Sequence, residues 1–147
     1  MVLVIAHRGA SGYYPENTLK SIDNAIKMGS DVVEIDLKMT KDRQIVLMHD
    51  DTVDRTTNGN GPVKDLTSKQ LRTLDAGGGE RIPLLTEVIE MFGGRDIKFM
   101  FDISSKGFEE QLTETIHGHN LDVGSIVSGA HEPLRLIKLL NPRLRIA

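Results

Sequence analysis

Val2-Leu3-Val4-Ile5-Ala6-His7-Arg8-Gly9, Val32-Val33-Glu34-Ile35-Asp36-Leu37 and Ile45-Val46-Leu47-Met48-His49 decide the reading of this chain. Each is a short apolar, β-branched run of the kind that forms strands. The first stops at His7-Arg8, and the third delivers His49. In the second, Glu34 and Asp36 share one face, because strand side chains repeat every second residue. Buried acids are costly unless paired or bound to a metal, so an E-x-D flanked by Val33, Ile35 and Leu37 calls for an explanation. Two imidazoles, a guanidinium and two same-face carboxylates at strand ends suit a metal-assisted reaction on a phosphate. Strand ends are where α/β sheets keep their chemistry.

Outward from these runs the pattern alternates. A strand over 2–6 is followed by a loop, then by a helix over Thr18–Met28 with an apolar stripe of Leu19, Ile22, Ala25 and Ile26. Asn17 is positioned to cap that helix, and Gly29 to end it. Strands over 32–38 and 44–48 are joined by Thr40-Lys41-Asp42-Arg43, a tight turn that makes the second an antiparallel arm. Residues 50–80 read as an excursion within the domain: polar, with a strong turn signal at Asn58-Gly59-Asn60-Gly61-Pro62 and a short helix from Thr67-Ser68 to Leu74. A helix opened by Pro83 and stopped by Gly93-Gly94 follows. Beyond it come a strand at 97–103, a helix at 108–117, a strand at 124–128, a helix at 132–140 and a strand start at 143–147. Strands spaced by helices predict parallel βαβ units with right-handed crossovers, in one α/β domain over 1–147.

Composition excludes several classes. The net charge is −3 over 147 residues, with Lys and Arg scattered, so no basic footprint for nucleic acid exists. There is no cysteine, which removes disulfides, thiolate catalysis and cysteine-held zinc and agrees with a cytoplasmic location. Met1–Ala6 is too short for a signal peptide, and no apolar stretch approaches the length of a membrane span.

The motifs His7-Arg8-Gly9-Ala10, Pro15-Glu16-Asn17-Thr18, Glu34-Ile35-Asp36, Thr40-Lys41-Asp42, His49-Asp50, Asp54-Arg55-Thr56-Thr57, Gly61 and Ile82-Pro83 stand in an order and spacing that resembles the glycerophosphodiester phosphodiesterase family. The resemblance is dense to Leu85 and thin afterwards. It implies a TIM (β/α)8-type barrel with a small insertion after the second strand. It implies hydrolysis of glycerophosphodiesters, small-molecule substrates, to sn-glycerol 3-phosphate and an alcohol, with a divalent metal, calcium or magnesium. By that resemblance Glu34 and Asp36 hold the metal, His7 and His49 form the acid–base pair, and Arg8 grips phosphate. These roles are chemically sound: hard cations take oxygen ligands, and arginine offers phosphate a planar fork. Imidazole titrates near neutrality and can take or give a proton there. The attacking group, water or the substrate's own glycerol hydroxyl, is left open.

Other residues carry two readings. Glu16 either reaches the metal through water or is an acid at a helix N-terminus. Asn17 either bonds to the site or caps the helix, with capping favoured. Asp50 and Asp51 either tune His49 or are solvated, and Tyr13 and Tyr14 either rim the site or simply face water. His117, His119 and His131 read as structural. Two departures from the family pattern stand out. Asp102 takes the place of a glutamate as third metal ligand, and Ser104 stands where a lysine is expected, leaving Lys106 as the nearest substitute. The chain also has far fewer than the roughly 250 residues of a full barrel, so the last strands are missing. Exposed edges then leave three outcomes, a homo-oligomer whose partner covers the open side, a rearranged compact open sheet, or a piece of a longer parent chain, of which the homo-oligomer is the expectation. The competing reading is a non-catalytic or weakly active family remnant, an oligomeric metal- or phosphate-binding module. An unrelated lyase or sugar-phosphate binder on a similar sheet is the third.

Overall fold

A computed structural model describes residues 2–147. Its six-stranded sheet runs β1 (Ile5–His7), β2 (Val32–Met39), β4 (Lys98–Ile103), β5 (Ile126–Gly129), β6 (Arg145–Ile146), with β3 (Ile45–Leu47) paired to β2 outside that path. Every pairing is parallel except β2 with β3. Helices α1 (Leu19–Lys27), α3 (Leu85–Phe92), α4 (Glu109–Gly118) and α5 (His131–Leu140) make the crossovers. The result is a five-stranded parallel arc, as the alternation predicted, and it matches part of the (β/α)8-type barrel that the resemblance implied.

Residue parity divides the sheet. Val33, Ile35 and Leu37 of β2, Phe99, Phe101 and Ile103 of β4 and Val127 of β5 join Ile22, Ala25, Leu85, Val88, Phe92, Leu112, Ile116, Leu134 and Ile137 in one buried core. That core is the layer between sheet and helices. The other parity, Glu34, Asp36 and Lys38 with Met100, Asp102 and Ser104, therefore lines the concave face. A second core beneath the excursion gathers Val46, Met48, Val53, Val63, Leu71, Ala76 and Ile82. The stretch from 50 to 80 is thus packed, holding a 3₁₀ turn (Val63–Asp65) and α2 (Ser68–Leu71), which ends three residues short of the predicted Leu74.

Boundaries moved where local chemistry outweighs pattern. Residues 2–4 form no strand and β1 begins at Ile5; the Val4 amide is taken by the Asp31 side chain at 2.8 Å in place of a ladder bond. Thr18, not Asn17, caps α1: its hydroxyl accepts from the Ser21 amide while the Ser21 hydroxyl faces the Thr18 amide, a reciprocal capping box. Pro83 precedes α3 without opening it. Its carbonyl accepts from Leu47 N at 3.0 Å, and Glu87 reaches back to the amide of Leu84 at the cap. Gly9 sits at φ +78°, and a Cβ there would lie 2.7 Å from the Ser21 carbonyl carbon, so the turn after β1 admits glycine alone.

Candidate active site at the carboxyl ends of the strands

β2 is the spine. One of its edges is covered by β4 from Val32 to Leu37, so both β1 and β3 must lie along the other. β1 pairs with residues 32–34 and ends at His7; β3 comes from the opposite direction, pairs with 37–39, and Met48 N donates to Asp36 O. His7 and His49 therefore approach one gap beside Ile35 and Asp36 from two directions. Strand register brings these two residues, distant in sequence, to one edge of β2.

Glu34 and Asp36 are 7 % and 6 % exposed. The Arg8 amide donates to Glu34 Oε2 at 2.8 Å, and His7 Nε2 lies 3.9 Å from the same oxygen. Asn17 Nδ2 donates to Asp36 Oδ2 at 2.8 Å while Asp36 N donates to Asn17 Oδ1 at 3.1 Å. Asn17 is thus a site residue and not a cap, which corrects the favoured reading; Thr18 already satisfies the helix. The Arg8 guanidinium brings Nε to 3.1 Å from Asp36 Oδ2, yet that N–H has no aligned acceptor, and Nη1 donates to Glu16 at 3.1 Å. Arg8 and Asn17 both adopt φ +56°, uncommon for residues with a Cβ, and their side-chain bonds to the acids hold them there.

A chain of charge connects His49 to these groups. Its Nδ1 is 2.7 Å from Asp50 Oδ1; Arg55 bonds Asp50 through Nε (2.8 Å) and Nη2 (2.9 Å) and reaches Glu16 at 2.7 and 3.1 Å. Glu16 then meets Arg8. Arg55, and to a lesser extent Arg8, hold the Glu16 carboxyl below its usual range. Arg55 and His49 do the same for Asp50, and both acids in turn strengthen the hold of Arg55 on its proton. Asp50 is thus the partner of His49, whereas Glu16 is the acid shared by two arginines, a role neither of its readings contained. Arg55 belongs to the motif Asp54-Arg55-Thr56-Thr57, and its position in a polar loop gives no hint in the sequence of this bridging role.

Glu34 behaves in the opposite way. Burial first, and the neighbouring charges of Asp36 and Asp102, push its carboxyl up to about 7, against the amide bond from Arg8. Asp102 is the register partner of Asp36 on β4, and Ser128 of β5 donates to its Oδ2 at 2.8 Å. Glu34, Asp36 and Asp102 are all hard oxygen donors whose mutual repulsion a divalent cation would relieve, so the donor chemistry fits such an ion. Among the described residues, no three acidic or imidazole side chains are gathered closely enough to enclose one. Asp36 is engaged with Asn17 and Arg8, and Asp102 with Ser128, so closing on an ion requires these side chains to turn.

Lys106 does not replace the lysine expected at 104. It is exposed and paired with Glu132. Lys38 stands there instead: its Nζ donates to Ser104 Oγ at 2.7 Å and to Asp51 Oδ1 at 2.6 Å. Tyr13 is exposed, and Tyr14 is covered by Lys20 at 5.8 Å. His117 pairs with Asp122 at 3.0 Å and His119 with the Thr115 carbonyl at 2.8 Å, both at the carboxyl end of α4. A cleft of about 770 Å³ lies there, lined by Glu110, His117, Asn141 and Arg143. Helix carboxyl ends lie at the amino ends of the strands, so that cleft is remote from the acids.

The fold and site together define an α/β-barrel protein with acids and imidazoles at the carboxyl ends of its strands. Residues 7–144 match the model of the glycerophosphoryl diester phosphodiesterase family, and the chain belongs to that family. It is 43 % identical over 98 % of its length to a glycerophosphodiester phosphodiesterase of Caldanaerobacter subterraneus, and spans 65 % of that relative. Human glycerophosphodiester phosphodiesterase 1 is 40 % identical over 78 % of the chain, which spans 37 % of it. Among solved structures, an Oleispira antarctica phosphodiesterase in complex with its product sn-glycerol-3-phosphate superposes with a TM-score of 0.89 at 32 % identity, over 99 % of this chain and 65 % of that one. A glycerophosphodiester phosphodiesterase from Agrobacterium tumefaciens gives 0.89 at 29 % identity, over 99 % and 66 %.

Proposed function

We propose that this chain hydrolyses glycerophosphodiesters to sn-glycerol 3-phosphate and an alcohol. The observation that supports the reading is that β1 ends in His7 and β3 runs on to His49 along the same edge of β2, the strand carrying Glu34 and Asp36, with Arg8 against both acids. Glu34, Asp36 and Asp102 would hold a divalent metal, calcium or magnesium, which when bound supplies positive charge to a phosphoryl oxygen. Arg8 pairs with Asp36 and Glu16 and turns its remaining N–H groups toward substrate oxygens. One imidazole takes a proton from the attacking hydroxyl while the other gives one to the leaving alkoxide. His49 is oriented for this by Asp50, which fixes its Nδ1 and leaves Nε2 for the reaction.

The test is turnover of glycerophosphocholine with calcium or magnesium and with EDTA. Activity that EDTA abolishes is expected, falling at least 100-fold in His7→Ala and in His49→Ala, within the span that acid–base groups contribute. Rates like the wild type in either folded variant overturn its role. Metal binding without turnover would favour the module reading instead.

Apolar residues at both rims of the arc, Ile5 and Val4 at one and Ile146, Leu139 and Leu140 at the other, are exposed. We propose that a second copy covers them, which predicts a dimer mass by light scattering; a monomer overturns it. No helix among the described residues is long and apolar enough to cross a membrane. A cytoplasmic site of action forms part of the same proposal and is checked by fractionation.

A further inference from the structure

Lys38 is the third residue on the concave ladder that begins with Glu34 and Asp36, one pleat nearer the carboxyl end of β2. Its side chain is 8 % exposed. Register sets Asp36 opposite Asp102, so Lys38 lies level with Ser104, the residue just past the end of β4, whose hydroxyl accepts its ammonium proton at 2.7 Å. The counter-ion is lopsided. Asp51, 2.6 Å away, is 88 % exposed and belongs to the loop just past His49. A buried ammonium is expensive unless its charge is met. Here it is met by a loop carboxylate that can swing into water, and a cleft of about 450 Å³ lined by Lys38, Asp51, Thr52 and Lys64 opens at that point.

We propose that Lys38 is a phosphate-binding residue of the site, its ammonium meeting a non-bridging oxygen of the substrate once Asp51 is displaced. The inference rests on the phosphodiesterase reading above. A lysine on a rigid strand, steered by Ser104, presents a point charge to an anion without reorganising. Asp51 serves as its stand-in anion when the site is empty of phosphate.

The probe is sn-glycerol 3-phosphate, titrated calorimetrically into the metal-supplemented protein. Lys38→Met is expected to weaken binding at least tenfold. Adding Ser104→Lys to that variant delivers an ammonium to the same level from the neighbouring strand and should restore binding to within about threefold of wild type. Asp51→Asn removes the competing anion and should tighten binding at least threefold, a result that a purely structural ion pair would not give. Unchanged binding in Lys38→Met, no recovery in the folded double variant, or unchanged or weaker binding in Asp51→Asn overturns the assignment. A wild-type protein that binds no sn-glycerol 3-phosphate overturns the phosphodiesterase reading itself, which separates the two failures.

Discussion

Glu34 places a titration in the neutral range on a residue that faces His7 and Asp36. In an unfolded chain its carboxyl would titrate near 4.5; folding lifts it to about 7. The folded state therefore holds more protons than the unfolded state between those values, and stability falls as pH rises through that window. Melting of the metal-free protein should show a midpoint that declines from about pH 4.5 to 7. Glu34→Gln should flatten the decline, and a saturating divalent ion should reverse it by favouring the ionised form. A profile identical in wild type and Glu34→Gln would mean that Glu34 is ionised throughout. At this scale the sequence was legible wherever strand periodicity fixes direction: Glu34, Asp36 and His7 fall where alternation puts them. It was illegible where roles depend on partners far away in the chain. Asn17 has a good capping neighbour in Thr18, so only the contact with Asp36, 19 residues on, reveals its use. The same holds for Arg55 and Glu16, 39 residues apart.

At the scale of elements, the turn between β2 and β3 does more than reverse the chain. Asp42 accepts from Thr40 Oγ1 at 2.6 Å and from both the amide (2.8 Å) and the hydroxyl (2.7 Å) of Ser68 at the start of α2. Those bonds, Thr40 first, hold its carboxyl down at about 2. The excursion is thereby tied to the hairpin in addition to the apolar cluster beneath it. Asp42→Ala should cost about 1 kcal/mol, the usual scale for a lost helix-end acceptor, read from chemical denaturation. Faster hydrogen exchange confined to α2 and its flanks should accompany it; exchange raised equally across the sheet would contradict this local role. Helices and the antiparallel arm were foreseen because apolar spacing and turn residues are local signals. Their ends shifted because caps and side-chain bonds, Thr18 for α1 and Asp31 for β1, settle boundaries that periodicity leaves loose.

Over the whole molecule, the strand order of the described residues runs from β1 to β6, and a strand at a sheet edge presents unpaired backbone groups along one side. β1 and β6 are those edges, and Ile146 on β6 is 43 % exposed. If a second copy seats there, Ile146→Lys should lower the mass seen by light scattering toward one chain. Its cost to the isolated fold should stay within about 0.5 kcal/mol, as for an exposed substitution. A variant that keeps the mass of the wild type would place the contact elsewhere. The parallel order could be foreseen from alternation alone. The approach of His7 and His49 along one edge of β2 required knowing that β4 claims the other edge from Val32 to Leu37.

The salt-linked run from His49 through Asp50, Arg55, Glu16 and Arg8 to Asp36 has a consequence for protein engineering. Residues 50–80 are not a portable cassette: even their apolar nucleus is shared with Val46, Met48 and Ile82 outside the segment. Transplanted onto another barrel, they would bring Asp50 and Arg55 but leave Glu16 behind in the donor. The incoming arginine would then lack its second carboxylate, and the recipient's histidine would lose its link to the strand acids. Chimeras should therefore trade the segment together with the loop bearing Glu16, as one inherited unit.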